Sequence, residues 1–148
     1  MKYIKLTINN LLEQYGTNEP TELANYLGIT IIYEYLGNNS GLYINQNGCK
    51  FILVNNNLDY YDQRVIIAHE LGHAVLHDNL NMAYLENNTY YSRNKFEYQA
   101  NYFAANLLLP DGFEKDIEFK DMTIEQISSM VAIPVELVKI KLNSLENL

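Results

Sequence analysis

The segment His69-Glu70-Leu71-Gly72-His73 constrains this chain more than any other feature. It is an H-E-x-x-H motif inside a long apolar run. On a helix, residues four apart share a face, so both imidazoles can reach one metal ion. Glu70 projects beside them and can take a proton from an attacking water. Zinc peptidases use this arrangement. The run from Asp62 to His77 contains no proline and reads as a helix. Apolar residues occur nearly all round it, which marks a buried helix. Buried His, Glu and His are costly without partners, and a metal would satisfy all three. Asp59 or Asp62 could cap the helix N-terminus. Gly72 weakens a helix. A close approach by another segment would explain it, and so would simple tolerance.

His77 follows His73 by four residues. The eight-residue step from His69 to His77 rises about 12 Å at 1.5 Å per residue, too far for one zinc to be reached from both ends of the row. His77 therefore reads as a helix-end residue, or as one that supports a ligand rather than binding directly. A metzincin would need glycine at position 76 and histidine at position 79. Those positions hold Leu76 and Asn79, which excludes that subclass.

A catalytic zinc takes three protein ligands and leaves one position open. Cys49 lies in a predicted strand before the motif helix. The best third ligand is Glu97, at the start of a second helical run that ends before Pro110. From Glu97 the helical face continues through Ala100, Asn101, Ala104 and Ala105. That face is small, so this helix can pack closely on the first and bring a short carboxylate to the metal. Asn94-Lys95-Phe96-Glu97 also has the outline of a capping box, in which Glu97 would only cap. Tyr98 and Tyr102 lie on the same helix, where they can line the cleft or pack half-buried. Arg93 could stabilise an oxyanion or pair with a surface carboxylate.

The rest of the chain predicts helices over 4–15 and 21–27, then strands over 29–36, 42–44 and 50–54. The last two strands are joined by a turn at Asn45-Gln46-Asn47-Gly48. The stretch from Asp78 to Asn94 lacks clear periodicity. Thr123-Ile124-Glu125-Gln126 outlines a capping box ahead of a helix through Met130, and a further helix runs to Leu145. This pair has the outline of a helix-turn-helix. Its second helix offers only Lys139 and Lys141 against Glu136 and Glu146, so packing or docking of a protein suits it better than DNA.

At 148 residues the natural reading is one domain, with a catalytic core over 1–110 and a helical extension over 111–148. No segment approaches a membrane span or has the shape of a signal peptide. A single cysteine fits a reducing cytoplasm. Eighteen acidic residues against ten basic give a net charge of −8. That weighs against contacts to nucleic-acid phosphates and suits a basic partner. Acidic side chains concentrate between Asp111 and Glu125, as a steering surface for such a partner or as a solvated loop.

The chain resembles the ImmA/IrrE family of metallopeptidases. The resemblance lies in Leu11 to Pro20, Glu22-Leu23-Ala24, Leu27-Gly28-Ile29, Ala68 to His77, and the helix holding Glu97, Ala100, Asn101, Phe103, Ala104, Leu107, Leu108 and Pro110. It implies an α+β, zincin-like fold with helices around a small sheet of three or more strands. It implies His69, His73 and Glu97 as metal ligands and Glu70 as general base. The expected metal is Zn2+, although a His-His-Glu set also accepts Mn2+. Members of the family cleave helix-turn-helix transcriptional repressors at a specific site, which relieves repression in mobile elements and prophages. In radiation-response relatives, which carry added domains, cleavage releases a DNA-damage regulon. This chain is similar to the short mobile-element type. The resemblance also carries over the zincin use of a sheet edge to pair with an extended substrate.

Two rival readings use the same residues differently. In one, the protein is an anti-repressor that binds its target without cutting it and holds a structural metal. In the other, it is a toxin–antitoxin partner, which only neighbouring genes could support. Glu70 has no purpose in a purely structural site.

Overall fold

The computed structural model describes residues 1–78, 90–115 and 119–146, the side chains of 90–93 and 146 excepted. Among these, the order is α1 (Lys2–Tyr15), α2 (Pro20–Tyr26), β1 (Ile29–Glu34), β2 (Gly41–Gln46), β3 (Cys49–Asn55), α3 (Tyr60–Leu76), α4 (Tyr90–Leu108), α5 (Ile124–Val131) and α6 (Val135–Glu146). The expected strands are all present, and the fold is α+β with a small mixed sheet. No helix among the described residues is long and apolar enough to cross a membrane.

β3 is central, parallel to β1 and antiparallel to β2, which leaves β2 as an edge strand. β2 and β3 are joined at Asn47-Gly48. Both residues have positive φ, 54° and 87°, as a two-residue hairpin loop requires. Side chains alternate across the sheet. Ile29, Tyr43, Ile52 and Val54 are buried on one face, and β2 and β3 both pack against α3. Gly41 permits this approach. A Cβ there would stand 2.4 Å from the Ile66 side chain and 3.4 Å from Cγ of Glu70.

α3 is apolar nearly all round, as the sequence predicts, and Val65, Ile67, Ala68, Leu71 and Ala74 are buried. Asp59 caps it by accepting from the N–H of Asp62 at 2.9 Å. α4 crosses α3 at close range. A Cβ on Gly72 would lie 3.1 Å from Cα of Ala100 and 3.2 Å from Cβ of Phe103. Of the two explanations open for Gly72, the close approach is the one present, and the small face of α4 makes it possible.

α4 begins at Tyr90, ahead of the expected start near Asn94. Tyr90 to Lys95 shows no apolar period, so the sequence gives no sign of those first turns. The correction matters, because Glu97 now lies in the helix interior and the capping alternative falls. At the C-terminal end, Thr123 and Gln126 form the expected capping box. α6 packs on α4, with Leu137 and Val138 buried and Ser144 hydrogen-bonded to Asn106 of α4. Lys141 points inward to Asp111 at 2.5 Å and Asn106 at 3.2 Å. One of the two lysines that a DNA-reading helix would use is thus committed to the interior.

Candidate metal centre

The two motif histidines and Glu97 converge. Nε2 of His69 and Nε2 of His73 are 3.2 Å apart. Glu97 places Oε2 at 3.3 Å from the first and Oε1 at 3.4 Å from the second. The ligand atoms of His69, His73 and Glu97 all fall within 4.8 Å of one another. α3 supplies the histidines one turn apart, and the close crossing at Gly72 sets Glu97 of α4 opposite them.

The outer nitrogens of both rings are also engaged. His69 Nδ1 lies 2.8 Å from Oδ1 of Asn101. His73 Nδ1 lies 3.0 Å from His77 Nδ1, and His77 Nε2 lies 2.9 Å from Oε1 of Gln99. An amide oxygen only accepts, so His69 carries its hydrogen on Nδ1 and His77 on Nε2. Nδ1 of His77 then accepts from Nδ1–H of His73. Both Nε2 atoms are left with lone pairs aimed at each other and at a carboxylate. Three electron-rich groups facing one point need a cation or a proton between them, so the donor set fits a metal ion.

Electrostatics agree. With a proton in place of a metal between the rings and Glu97, hydrogen bonds from His69 and His73 hold its carboxyl far below the usual carboxylate range, against the opposing effect of burial. Burial works against charging the His69 ring, but the Glu97 and Glu70 carboxylates outweigh it and raise its pKa above 6.5. Burial raises the Glu70 pKa above 4.5, only partly offset by the two histidines and the Tyr43 N–H. Burial also lowers the His77 pKa, which favours the neutral ring.

Glu70 is buried and does not join the three converging groups. Its Oε2 accepts from the backbone N–H of Tyr43, on edge strand β2, at 2.8 Å. Tyr43 is held a second time through its phenol, which donates to Asp78 Oδ1 at 2.5 Å. Asp78 also accepts from Asn45 at 2.6 Å and Lys50 at 2.5 Å, which ties the hairpin to the end of α3.

His77 lies at the end of α3 with its Nδ1 3.0 Å from that of His73, and it is not one of the three converging groups. Exposed Tyr98 and buried Tyr102 line a cavity with Met1, Lys2, Lys5 and Ile140. That cavity lies on the α1 and α6 side of α4, and its walls include none of the three converging residues. The side chain of Arg93 lies outside the described residues, as do Asp116 and Glu118 of the acidic run. Sequence reasoning missed Gln99, Asn101, Tyr43 and Asp78. The only available signal was that Gln99 and Asn101 follow the predicted ligand by two and four residues, within about one helical turn.

Comparison with known proteins agrees with this chemistry. The M78 peptidase family model, described as an IrrE N-terminal-like domain, matches residues 24–143. An immunity region protein of Bacillus phage phi105 is 36% identical over 146 residues, covering 97% of this chain and 92% of that protein. Metallopeptidase ImmA of Bacillus subtilis is 30% identical over 146 residues, covering 97% of this chain and 86% of that protein. Among solved structures, a Mycobacterium tuberculosis transcriptional regulator shares the fold with a TM-score of 0.64 at 16% identity. The alignment covers 96% of this chain but only 46% of the regulator. With the family match spanning the helices that carry the His-His-Glu group, the chain belongs to the IrrE N-terminal-like, or ImmA/IrrE, family of metallopeptidases.

Proposed function

We propose that this protein is a zinc-dependent endopeptidase of zincin type that cleaves a helix-turn-helix transcriptional repressor at a specific site and so relieves repression. The observation that carries this reading is the convergence of His69, His73 and Glu97 beside a buried Glu70 hydrogen-bonded to an edge strand. The repressor as substrate is what the family resemblance implies. The phage immunity-region relative is consistent with it, and a net charge of −8 suits a basic DNA-binding partner.

His69, His73 and Glu97 would hold the ion. When bound, it supplies a Lewis acid that polarises the scissile carbonyl and makes an attacking water more acidic. Glu70 takes the proton from that water and passes it to the leaving amine. Burial raises its pKa, which makes it a stronger base and eases the capture of the proton. Tyr43 holds the carboxylate in place. Because the Tyr43 N–H turns away from β3, its carbonyl faces the same way, so the free edge of β2 can pair with an extended substrate segment.

The test is elemental analysis of wild type beside Glu97→Ala, followed by mass spectrometry of a repressor incubated with each. About one zinc per wild-type chain, lost or weakened in the variant, with a single repressor cut that also disappears, is the expected result. A well-folded wild type that takes up no zinc when supplied, yet still relieves repression, would favour the binding-only anti-repressor.

A further inference from the structure

Metal-binding histidines need one nitrogen free and the other committed, and what commits the second nitrogen tunes the site. For His73 that partner is His77, which is itself ambiguous, because a neutral imidazole can present either a donor or an acceptor at Nδ1. If His77 presents a hydrogen at Nδ1, His73 must accept there and carry its own hydrogen on Nε2. The His73 lone pair would then point away from Glu97 and His69. Something beyond His77 has to choose.

We infer that Gln99 is the positioning residue that makes this choice, acting through His77 to hold His73 in the tautomer that binds metal. Oε1 of Gln99 is 2.9 Å from His77 Nε2, and both residues are buried. Accepting there fixes the His77 hydrogen on Nε2 and leaves Nδ1 as an acceptor. Nδ1 lies 3.0 Å from His73 Nδ1, which must donate. The Nε2 lone pair of His73 then faces Glu97 at 3.4 Å. Phe96 packs edge-on to the His77 ring, with centroids 4.8 Å apart, and restrains its rotation. Gln99 sits two residues after Glu97, so one half-turn of α4 delivers both a ligand and the group that sets the tautomer of another. Asn101 does the same for His69 in a single step, at 2.8 Å. α4 therefore orients both histidines of α3. The inference rests on the metal-site reading above.

The experiment uses the full chain and Zn2+ alone. Zinc affinity is measured by competition with a chromophoric chelator for wild type, Gln99→Leu and Gln99→Glu. Histidine tautomers are read by long-range 1H–15N NMR on the zinc-loaded wild type. Gln99→Leu removes the acceptor and should weaken zinc binding about 10- to 100-fold. Gln99→Glu restores an acceptor and should stay within about threefold of wild type. NMR should show Nε2–H on His77 and Nδ1–H on His73. Equal zinc affinity for wild type and Gln99→Leu, or equal weakening by Leu and Glu, would overturn the inference. So would Nδ1–H on His77, which needs no variant to fold. A wild type that does not bind zinc would instead defeat the metal-site reading itself.

Discussion

The backbone N–H of Tyr43 donates to Oε2 of Glu70 at 2.8 Å, so the edge strand and the acid of the motif form one hydrogen-bonded unit. A glutamine at position 70 could still accept that bond through its amide oxygen, but it could not take up a proton. Glu70→Gln should therefore keep its fold and its metal while repressor cleavage falls by roughly 10²- to 10⁴-fold, the range of a lost general base. Mass spectrometry of the products, alongside metal content, checks both halves. Cleavage within tenfold of wild type would remove Glu70 from the role of base.

A second prediction concerns the crossing of α3 and α4. Gly72→Ala gains about 1 kcal/mol of helix propensity. It also drives a methyl to within 3.1 Å of Cα and 3.2 Å of the carbonyl oxygen of Ala100. These are backbone atoms of a packed helix and cannot turn aside, and overpacking of this kind costs about 1–3 kcal/mol. The clash should win, with a net loss of about 1 kcal/mol or more in urea unfolding. Zinc affinity should fall with it, because Glu97 rides on the displaced helix. A variant as stable as wild type would show that the two helices separate freely.

The pattern of legibility follows from sequence distance. The His69–His73–Glu70 arrangement depends on spacing within one helix, and His77 extends the same row, so local periodicity suffices. Glu97 was legible because the small residues after it announce close packing. Gln99, Asn101, Tyr43 and Asp78 were not, because their partners lie 22 to 35 residues away in sequence. Nothing local in Gln99 says that it will meet His77. The start of α4 was misplaced because Tyr90 to Lys95 has no apolar stripe to announce it.

Zinc binding should depend on pH in a direction set by His69. Its raised pKa means that the metal-free site holds a proton at neutral pH more readily than free imidazole does, because the Glu97 and Glu70 carboxylates outweigh burial. Zinc must displace that proton. Apparent affinity should therefore climb as pH rises through and above 6.5, and proton release on zinc addition should shrink over the same window. Calorimetry in two buffers of different ionisation enthalpy measures the release directly. Stripping the metal at neutral pH should lower the melting temperature, since zinc at 100 times its Kd stabilises by about 2.7 kcal/mol. Affinity that is flat from pH 6 to 8 would contradict the tight carboxylate–imidazole contact.

The last prediction concerns the anchor of the edge strand. Asp78 receives Tyr43, Asn45 and Lys50 and so fastens the β2–β3 hairpin to the end of α3. Burial pushes its pKa up, but the three donors outweigh this and hold it below 3.8. The folded protein thus binds this proton less readily than the unfolded chain does, and stability must rise with pH through the interval between the two pKa values. The contribution is complete above 3.8 and disappears as pH falls through the lower, folded pKa. Asp78→Asn should cost about 1–2 kcal/mol at pH 7, toward the low end for charged hydrogen bonds because both Asp78 and Lys50 are partly exposed. The wild-type and variant curves should then converge in acid. Cleavage at pH 7 should drop as well, because a loosened β2 carries Tyr43 away from Glu70. Equal stability at pH 7, or a gap that persists in acid, would mean that Asp78 does not hold the strand by its charge.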